Sequence, residues 1–478
     1  MSLGDVIFRL IQWIILIYFF ALNSSYLLFT FLSLLGLFRY RQLLSYIPYK
    51  EILHLRSLKP ISIIVPAFNE EETIVESVHS LLALEYPNYE VIVVNDGSTD
   101  KTLEALISHF KLQKTSRVIR RIIKTAPIKG IYISQSYPKL VVVDKVNGQK
   151  ADALNAGLNV AQYPLFCAID SDSLLDKYAL LKIVQPFLEE PFKMVAAGGI
   201  IRLSNGCQIE YGQVKKVGFP ARLIAQLQTI EYLRAFLGGR TGLSMLRILL
   251  IISGAFGLFR KKEVMAIQGY RQETVGEDMD LVVRLQKYLR EKRIPYLIRF
   301  IPDPICWTEA PEKLKSLTRQ RNRWHRGLIE SLFFNRQMLF NPKYGSLGLF
   351  GMPYYVIFEM FGPFIEFLGY LLFLFFLLIG EINSQFAIFF FILAIIYGIF
   401  ISLFSILLEE YSAYHFPRYR HVLSLMKASF LENFRQIPGY FGTCPAAIIA
   451  CFWASKSSFL QKQKYAKFLS RSSFRYFL

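Results

Sequence analysis

The sequence predicts an α/β fold, a mostly parallel sheet flanked by helices, joined to transmembrane and interfacial helices. Three observations predict it. Short, near-continuously apolar runs alternate with helical segments through the middle of the chain. Each run ends in a polar cluster, and long uncharged stretches at 10–38, 367–380 and 382–408 lie on either side of this region. Strands apolar on both faces belong to parallel sheets covered by helices. Ligands of such sheets bind beyond the carboxyl ends of the strands.

The stretch at 10–38 is too long for a signal-peptide core and lacks a small-residue cleavage site, so it reads as a retained anchor. Asn23, Ser24 and Ser25 interrupt it, but each half falls short of the about 20 residues that a crossing needs. One long, tilted helix is expected. Arg9 and Asp5 precede it, whereas Arg39, Arg41, Lys50, Arg56 and Lys59 follow. The positive-inside tendency makes 1–9 an extracytoplasmic stub, 39–59 a basic juxtamembrane linker and the domain that follows cytoplasmic, in a multi-pass protein of the cell membrane.

A cytosolic domain is expected over 60–310. Residues 61–65 form a β-branched run ending at Pro66, a helix follows through Leu84, and 91–94 make a second buried strand. A helix from about Lys101, a strand at 140–143, a helix at 151–161 and a strand at 165–169 continue the series. Interfacial helices are expected over 311–345 and two transmembrane helices over 346–408. The first of these, at 349–380, is kinked by Pro363 after Gly362 and carries Glu359 and Glu366 on one face. Acids at that depth face a polar cavity or pair near the interface. Within the basic region 409–478, the apolar segment 437–454 carries Pro438 and Pro445 and reads as interfacial or re-entrant.

Composition excludes several classes. The hydrophobic fraction of 53% is concentrated in the spans, and the net charge of +19 has no zinc-finger or RNA-binding pattern. A lipid bilayer, not nucleic acid, is the expected partner of those basic flanks. Cys167, Cys207, Cys306, Cys444 and Cys451 lack framework or metal spacing and read as free thiols. No Gly-x-x-x-x-Gly-Lys-Ser/Thr loop occurs.

Four clusters carry chemistry. In the first, Pro66, Asn69 and Glu70 follow strand one and Asp96 follows strand two. Asp96 fits either a helix cap or turn with Gly97, or an acceptor for a nucleoside N–H or hydroxyl. The second is Lys150 at a helix start, which suits phosphate as well as solvent. The third is Asp170-Ser171-Asp172 at a strand end, which suits Mg²⁺ or a similar hard cation completed by substrate oxygens. The fourth joins Glu277 and Asp278 to Gln320, Arg323 and Trp324. Adjacent acids raise one another's pKa, as a general base requires.

In this order, the Asp96, Asp170-x-Asp172, Glu277-Asp278 and Gln320-x-x-Arg323-Trp324 series resembles the membrane-bound, polymer-forming glycosyltransferases of family 2. These include cellulose, chitin and hyaluronan synthases, and most of all the bacterial poly-N-acetylglucosamine group. Gln228-x-x-Glu231-Tyr232-x-Arg234 and the segment from Ser253 and Gly254 to Phe259 share in it. The resemblance implies a nucleotide-sugar-binding fold of the GT-A type. It implies that Asp96 contacts the uridine, Lys150 the nucleotide and Asp170 the donor's ribose or sugar. It implies a metal, Mg²⁺ or Mn²⁺, on Asp172 and a catalytic base at Asp278. Gln320, Arg323 and Trp324 would hold the diphosphate and the acceptor end, with Ser253 and Gly254 lining the acceptor site.

The expected reaction is inverting transfer from a UDP-sugar donor to a growing polysaccharide. Transfer of one sugar to a lipid-linked acceptor is the alternative, and a transporter or scaffold with a nucleotide-binding domain is a second. About three spans give little material for a closed channel, so an accessory subunit or a second copy is a further expectation.

Overall fold

The computed structural model describes residues 3–46, 58–116, 119, 121–210, 212–380 and 382–409. The apolar segment 437–454 and the basic region around it lie outside them.

Among the described residues there are twelve strands: β1 (Ile61–Ala67), β2 (Tyr89–Asn95), β3 (Gln113–Thr115), β4 (Ile128–Ile133), β5 (Leu140–Lys145), β6 (Leu165–Ala168), β7 (Leu174–Leu175), β8 (Met194–Leu203), β9 (Gln208–Glu210), β10 (Gln213–Lys216), β11 (Gly257–Arg260) and β12 (Leu297–Thr308). Ten form one sheet in the order β3-β4-β5-β2-β1-β6-β11-β8-β12-β7, and β9 and β10 make a hairpin. The central strands β5, β2, β1 and β6 are parallel, as is the pair β8 and β12. β11 runs antiparallel to both its neighbours. The α/β, mostly parallel architecture is therefore the one the sequence predicts.

The four central strands match the apolar runs because both faces of each are covered. Pro66, which lacks an N–H, lies beyond Ile64, where the pairing of β1 with β6 ends. The helix Gln149–Val160 crosses β1 at Gly157, whose missing side chain leaves room for Ile64. The helix after β1 runs Ile74–Leu82 and the one after β2 runs Thr102–Phe110.

The N-terminal helix is continuous from Leu3 to Tyr46. Asn23 does not break it: its Nδ2 donates to Phe19 O and to Leu393 O, both at 2.9 Å, stitching this helix to the helical segment Ser384–Glu409. Its two halves have different neighbours. Ile15, Leu16 and Phe19 pack with Phe386 and Phe390, whereas Phe29 and Leu37 belong to the core of the α/β domain. Gly242 allows this, since a methyl there would lie 2.7 Å from Phe29 Cα. Tyr40 and Lys182 both reach Asp303, where β12 bulges at Pro302 and Pro304.

Among the described residues, Val6–Gln42 and Ser384–Glu409 are long and apolar enough to cross a membrane. Leu347–Met360 and Gly362–Leu378 make a third candidate, bent by 44° at the break before Pro363. That bend is the kink expected from the Gly-Pro pair.

Candidate active site

The parallel core delivers the carboxyl ends of β1, β2, β5 and β6 to one edge, and the loops there are laced together. Asn69, held at φ 56°, accepts from Thr99 N–H at 2.8 Å, and its own N–H donates to Ser98 Oγ at 3.0 Å. Glu70 N–H donates to Thr102 Oγ1 at 2.8 Å. The Glu70 carboxylate accepts from Ser171 Oγ at 3.1 Å, which ties the first loop to the aspartate loop after β6.

Asp96 is buried beneath this edge. It pairs with Lys145 and accepts from Gly148 N–H at 3.0 Å, while Lys145 also reaches Asp152 at 2.7 Å. Burial pushes the Asp96 carboxyl up, and Lys145 opposes that shift. Gly97, at φ 68°, makes the turn beside it, and a methyl there would lie 2.7 Å from Asn147 N.

Beside these loops opens a cavity of about 770 Å³. Lys150, Asp170, Asp172, Glu277 and Asp278 line one part of it, with Ser253 and Gly254 between. Gln320, Arg323 and Trp324 line another, and Glu359 and Glu366 stand in its wall from the bent helix pair. Ten of the residues singled out for donor, metal, base and acceptor thus share one space. Pro66, Asn69, Glu70 and Asp96 do not line it and meet at the neighbouring loops.

Lys150 is the cation of the acidic part. Its Nζ lies 2.5 Å from Asp170 and 3.3 Å from Glu277. Burial works against the ammonium, but Asp170, Glu277 and Asp278 outweigh it, so Lys150 stays protonated. Gln149 before it adopts φ 72°, a left-handed backbone uncommon for a side-chain-bearing residue. Burial, then the nearby Asp170 and Glu70, raise Asp172 above the ordinary carboxylate range. Glu277 is raised as well, by burial and by Asp278, against the pull of Lys150.

Asp278 is positioned by backbone. Its carboxylate accepts from Gly254 N–H at 3.1 Å and from Met279 N–H at 2.8 Å. Gly254 is confined: a methyl there would lie 3.2 Å from Lys150 Nζ. The helix Leu314–Phe334, which carries Gln320, Arg323 and Trp324, packs against the helix Glu277–Glu291. Asp280, fully buried, fastens them by accepting from Asn335 Nδ2 at 3.1 Å, and it also accepts from Arg284 Nε of its own helix at 2.6 Å.

Other lining residues were not singled out by a role. Glu231 holds Arg321 through a two-pronged ion pair, and Arg321 in turn stacks 4.6 Å from the Trp324 ring. Tyr232 faces Trp324 at 6.5 Å. His325, with its imidazole pushed down by burial, and Arg240 also line the cavity. Glu231 and Tyr232 carry a signal through the Gln228-x-x-Glu231-Tyr232-x-Arg234 pattern of the family resemblance, whereas Arg240 carries none.

Among the described residues no three His, Cys, Asp or Glu side chains converge on one point. Asp170 and Asp172 fit a hard cation only as a shared site. Mg²⁺ takes one or two carboxylates and completes its shell with waters and substrate phosphate oxygens.

Comparison with known proteins adds the lineage. A family model described as chitin synthase matches residues 259–416. Poly-beta-1,6-N-acetyl-D-glucosamine synthase of Staphylococcus epidermidis is 28% identical over 289 residues, which are 60% of this chain and 59% of that protein. The synthase of the same name from Staphylococcus aureus strain COL is 28% identical over 284 residues, 59% of this chain and 58% of that one. The alignments thus span about three-fifths of these relatives. A mannosyltransferase from Pyrobaculum calidifontis, solved in complex with GDP-Man and Mn²⁺, superposes with a TM-score of 0.50 at 15% identity, covering 88% of this chain and 98% of that one. That likeness concerns the fold. The family model described as glycosyltransferase like family 2 matches residues 59–327, more than half of the chain, and so this protein belongs to glycosyltransferase family 2.

Proposed function

We propose that the chain transfers a sugar from a UDP-sugar to a growing polysaccharide, with inversion at the anomeric carbon. The observation that carries this reading is the single cavity shared by Asp170, Asp172, Lys150 and Asp278 with Gln320, Arg323, Trp324, Glu359 and Glu366. Donor chemistry and a path toward the bent helices occupy one space. The name of the staphylococcal relatives supports N-acetylglucosamine as the sugar, with another hexose as the alternative.

In this mechanism Asp278 takes the proton of an acceptor hydroxyl. The oxygen attacks the anomeric carbon from the face opposite the UDP, a new C–O bond forms, and UDP departs with the electrons of the old one. A Mg²⁺ or Mn²⁺ on Asp172, beside Asp170, would offset charge growing on the diphosphate. Lys150 and Arg323 add fixed positive charge, which acts at full strength only where water is excluded. Asp96, Asn69, Glu70 and Pro66 frame the nucleoside end of the donor. Gly254 holds the base, and Ser253 and Trp324 face the acceptor.

The basic residues that flank the spans support a cytoplasmic catalytic domain on 60–310 in a multi-pass cell-membrane protein. An accessory subunit or a second copy completes the path for a long product. The test incubates membranes holding the full chain with a panel of UDP-sugars and Mg²⁺ or Mn²⁺, then sizes the product. A ladder or polymer is expected. A glycolipid bearing one added sugar would replace polymerisation with single transfer.

A further inference from the structure

The helix Leu223–Tyr232 does not end at the cavity but widens into a π-helical stretch, Leu233–Arg240, before the short helix Thr241–Met245. Such wide turns are rare and concentrate at functional positions. This one ends in Arg240, whose guanidinium lies 3.9 Å over the Phe236 ring. Its Nη1 is enclosed and has no hydrogen-bond partner among the described residues. Arg240 lines the same cavity as Asp278 and Glu359. An enclosed charged donor left unpaired is costly, so its retention calls for a ligand that pairs with it. A second orphan supports this: Gln320 Oε1, an acceptor in the same cavity wall, is also enclosed and has no hydrogen-bond partner among the described residues.

We infer that Arg240 is an additional acceptor-binding residue, donating to a hydroxyl or amide carbonyl on an uncharged glycan end. The inference rests on the sugar-transfer reading above and adds a residue and a ligand class to it. Three properties select that class. Asp278, Glu359 and Glu366 line the cavity and balance the charge of Arg240 and Arg234, so an anionic sugar would meet carboxylates. Tyr26, Tyr232 and Trp324 supply ring faces for the apolar faces of sugars. An unpaired donor and an unpaired acceptor together match the alternating groups of a neutral glycan. The stacking on Phe236 holds the planar fork in place, which a lysine ammonium does not reproduce.

The test uses the full chain in detergent with two variants: Arg240→Lys and Arg240→Met. The acceptor KM is measured with a neutral oligosaccharide of the transferred sugar and with a carboxylate-bearing one. UDP-sugar affinity and the thermal midpoint are measured in parallel. The expected result is an acceptor KM raised about tenfold or more in both Arg240 variants, as loss of a charge-assisted hydrogen bond requires. Donor affinity should stay within about twofold, and the wild type should prefer the neutral acceptor. Normal acceptor KM in Arg240→Lys, with loss of folding in Arg240→Met, would make Arg240 a structural charge and overturn the inference. Parallel loss of donor affinity, or preference for the anionic acceptor, would overturn it too. If the wild type uses UDP-sugars but elongates no glycan, the polymer-forming reading fails and this inference falls with it.

Discussion

Gly327, on the helix that carries Gln320, Arg323 and Trp324, packs backbone to backbone against Gly276, which precedes Glu277 and Asp278. A methyl on either glycine would lie 2.7 Å from backbone atoms of the other. Ser331 Oγ donates to Gly276 O at 3.3 Å and Glu330 accepts from Val275 N–H at 3.0 Å, so the contact is fixed on both sides. Glu277, Asp278 and the helix Leu314–Phe334 are therefore fixed to one another.

Gly327→Ala is expected to push these helices apart. Overpacking of this kind costs about 1–3 kcal/mol, and a site displaced even slightly loses rate steeply. The thermal midpoint should fall and kcat/KM should drop by about tenfold or more. An unchanged midpoint with unchanged turnover would mean that the contact is not rigid.

Lys150→Met is expected to weaken UDP-sugar binding by about 10- to 100-fold, the scale of one hydrogen bond to a charged group. It also leaves Asp170 and Glu277 without the ammonium that stands 2.5 Å and 3.3 Å from them. Titration of the donor into purified protein reads the effect. Lys150→Arg should restore part of it.

Lys145→Met tests a structural role. Lys145 is fully enclosed and serves two carboxylates, Asp96 and Asp152, that are nearly so. Removing one member of a buried ionic cluster costs about 3–5 kcal/mol, because the remaining charges stay buried. Loss of cooperative unfolding, or a large fall in the thermal midpoint, is expected. Replacing Lys145 without such a fall would mean that the cluster is not ionised.

Much of the fold was legible because the central strands are covered on both faces and read as apolar runs. The rest was not, for identifiable reasons. β4 (Ile-Lys-Gly-Ile-Tyr-Ile) lies near the sheet edge and carries a lysine and a glycine. β8 contains Ala196, Ala197, Gly198 and Gly199, small residues without a strand signature. β12 holds Pro302 and Pro304, which argue against a strand until its bulge is seen. In the site, Lys150, Asp170, Asp172, Glu277 and Asp278 were legible from their places at element ends. The Glu231–Arg321 pair and the Gly276–Gly327 contact depend on tertiary approach, which no local pattern records. Asp96 was legible as a position, but its burial against Lys145 was not.

The raised carboxyls give a pH prediction with a definite sign. Asp172 and Glu277 hold their protons more tightly in the fold than in an unfolded chain. Acidification therefore favours this donor-free cluster thermodynamically, and the contribution is lost as pH rises through the folded pKa values. In the role proposed for Asp172, donor binding runs the other way, since a metal ligand must be ionised. Affinity for the UDP-sugar with Mn²⁺ should fall on acidification with a midpoint above about 4, the ordinary carboxylate value. A midpoint at or below that value would remove Asp172 from the metal's ligands.

Asp278, held by Gly254 N–H, is proposed as the base of a direct displacement. The most direct measurement is turnover of purified Asp278→Asn with UDP-sugar and acceptor, alongside its UDP-sugar affinity. A loss of about 10²- to 10⁴-fold in turnover is expected, with donor affinity within about twofold of wild type. Wild-type-like turnover from the folded variant, or a sugar trapped covalently on the protein, would contradict it.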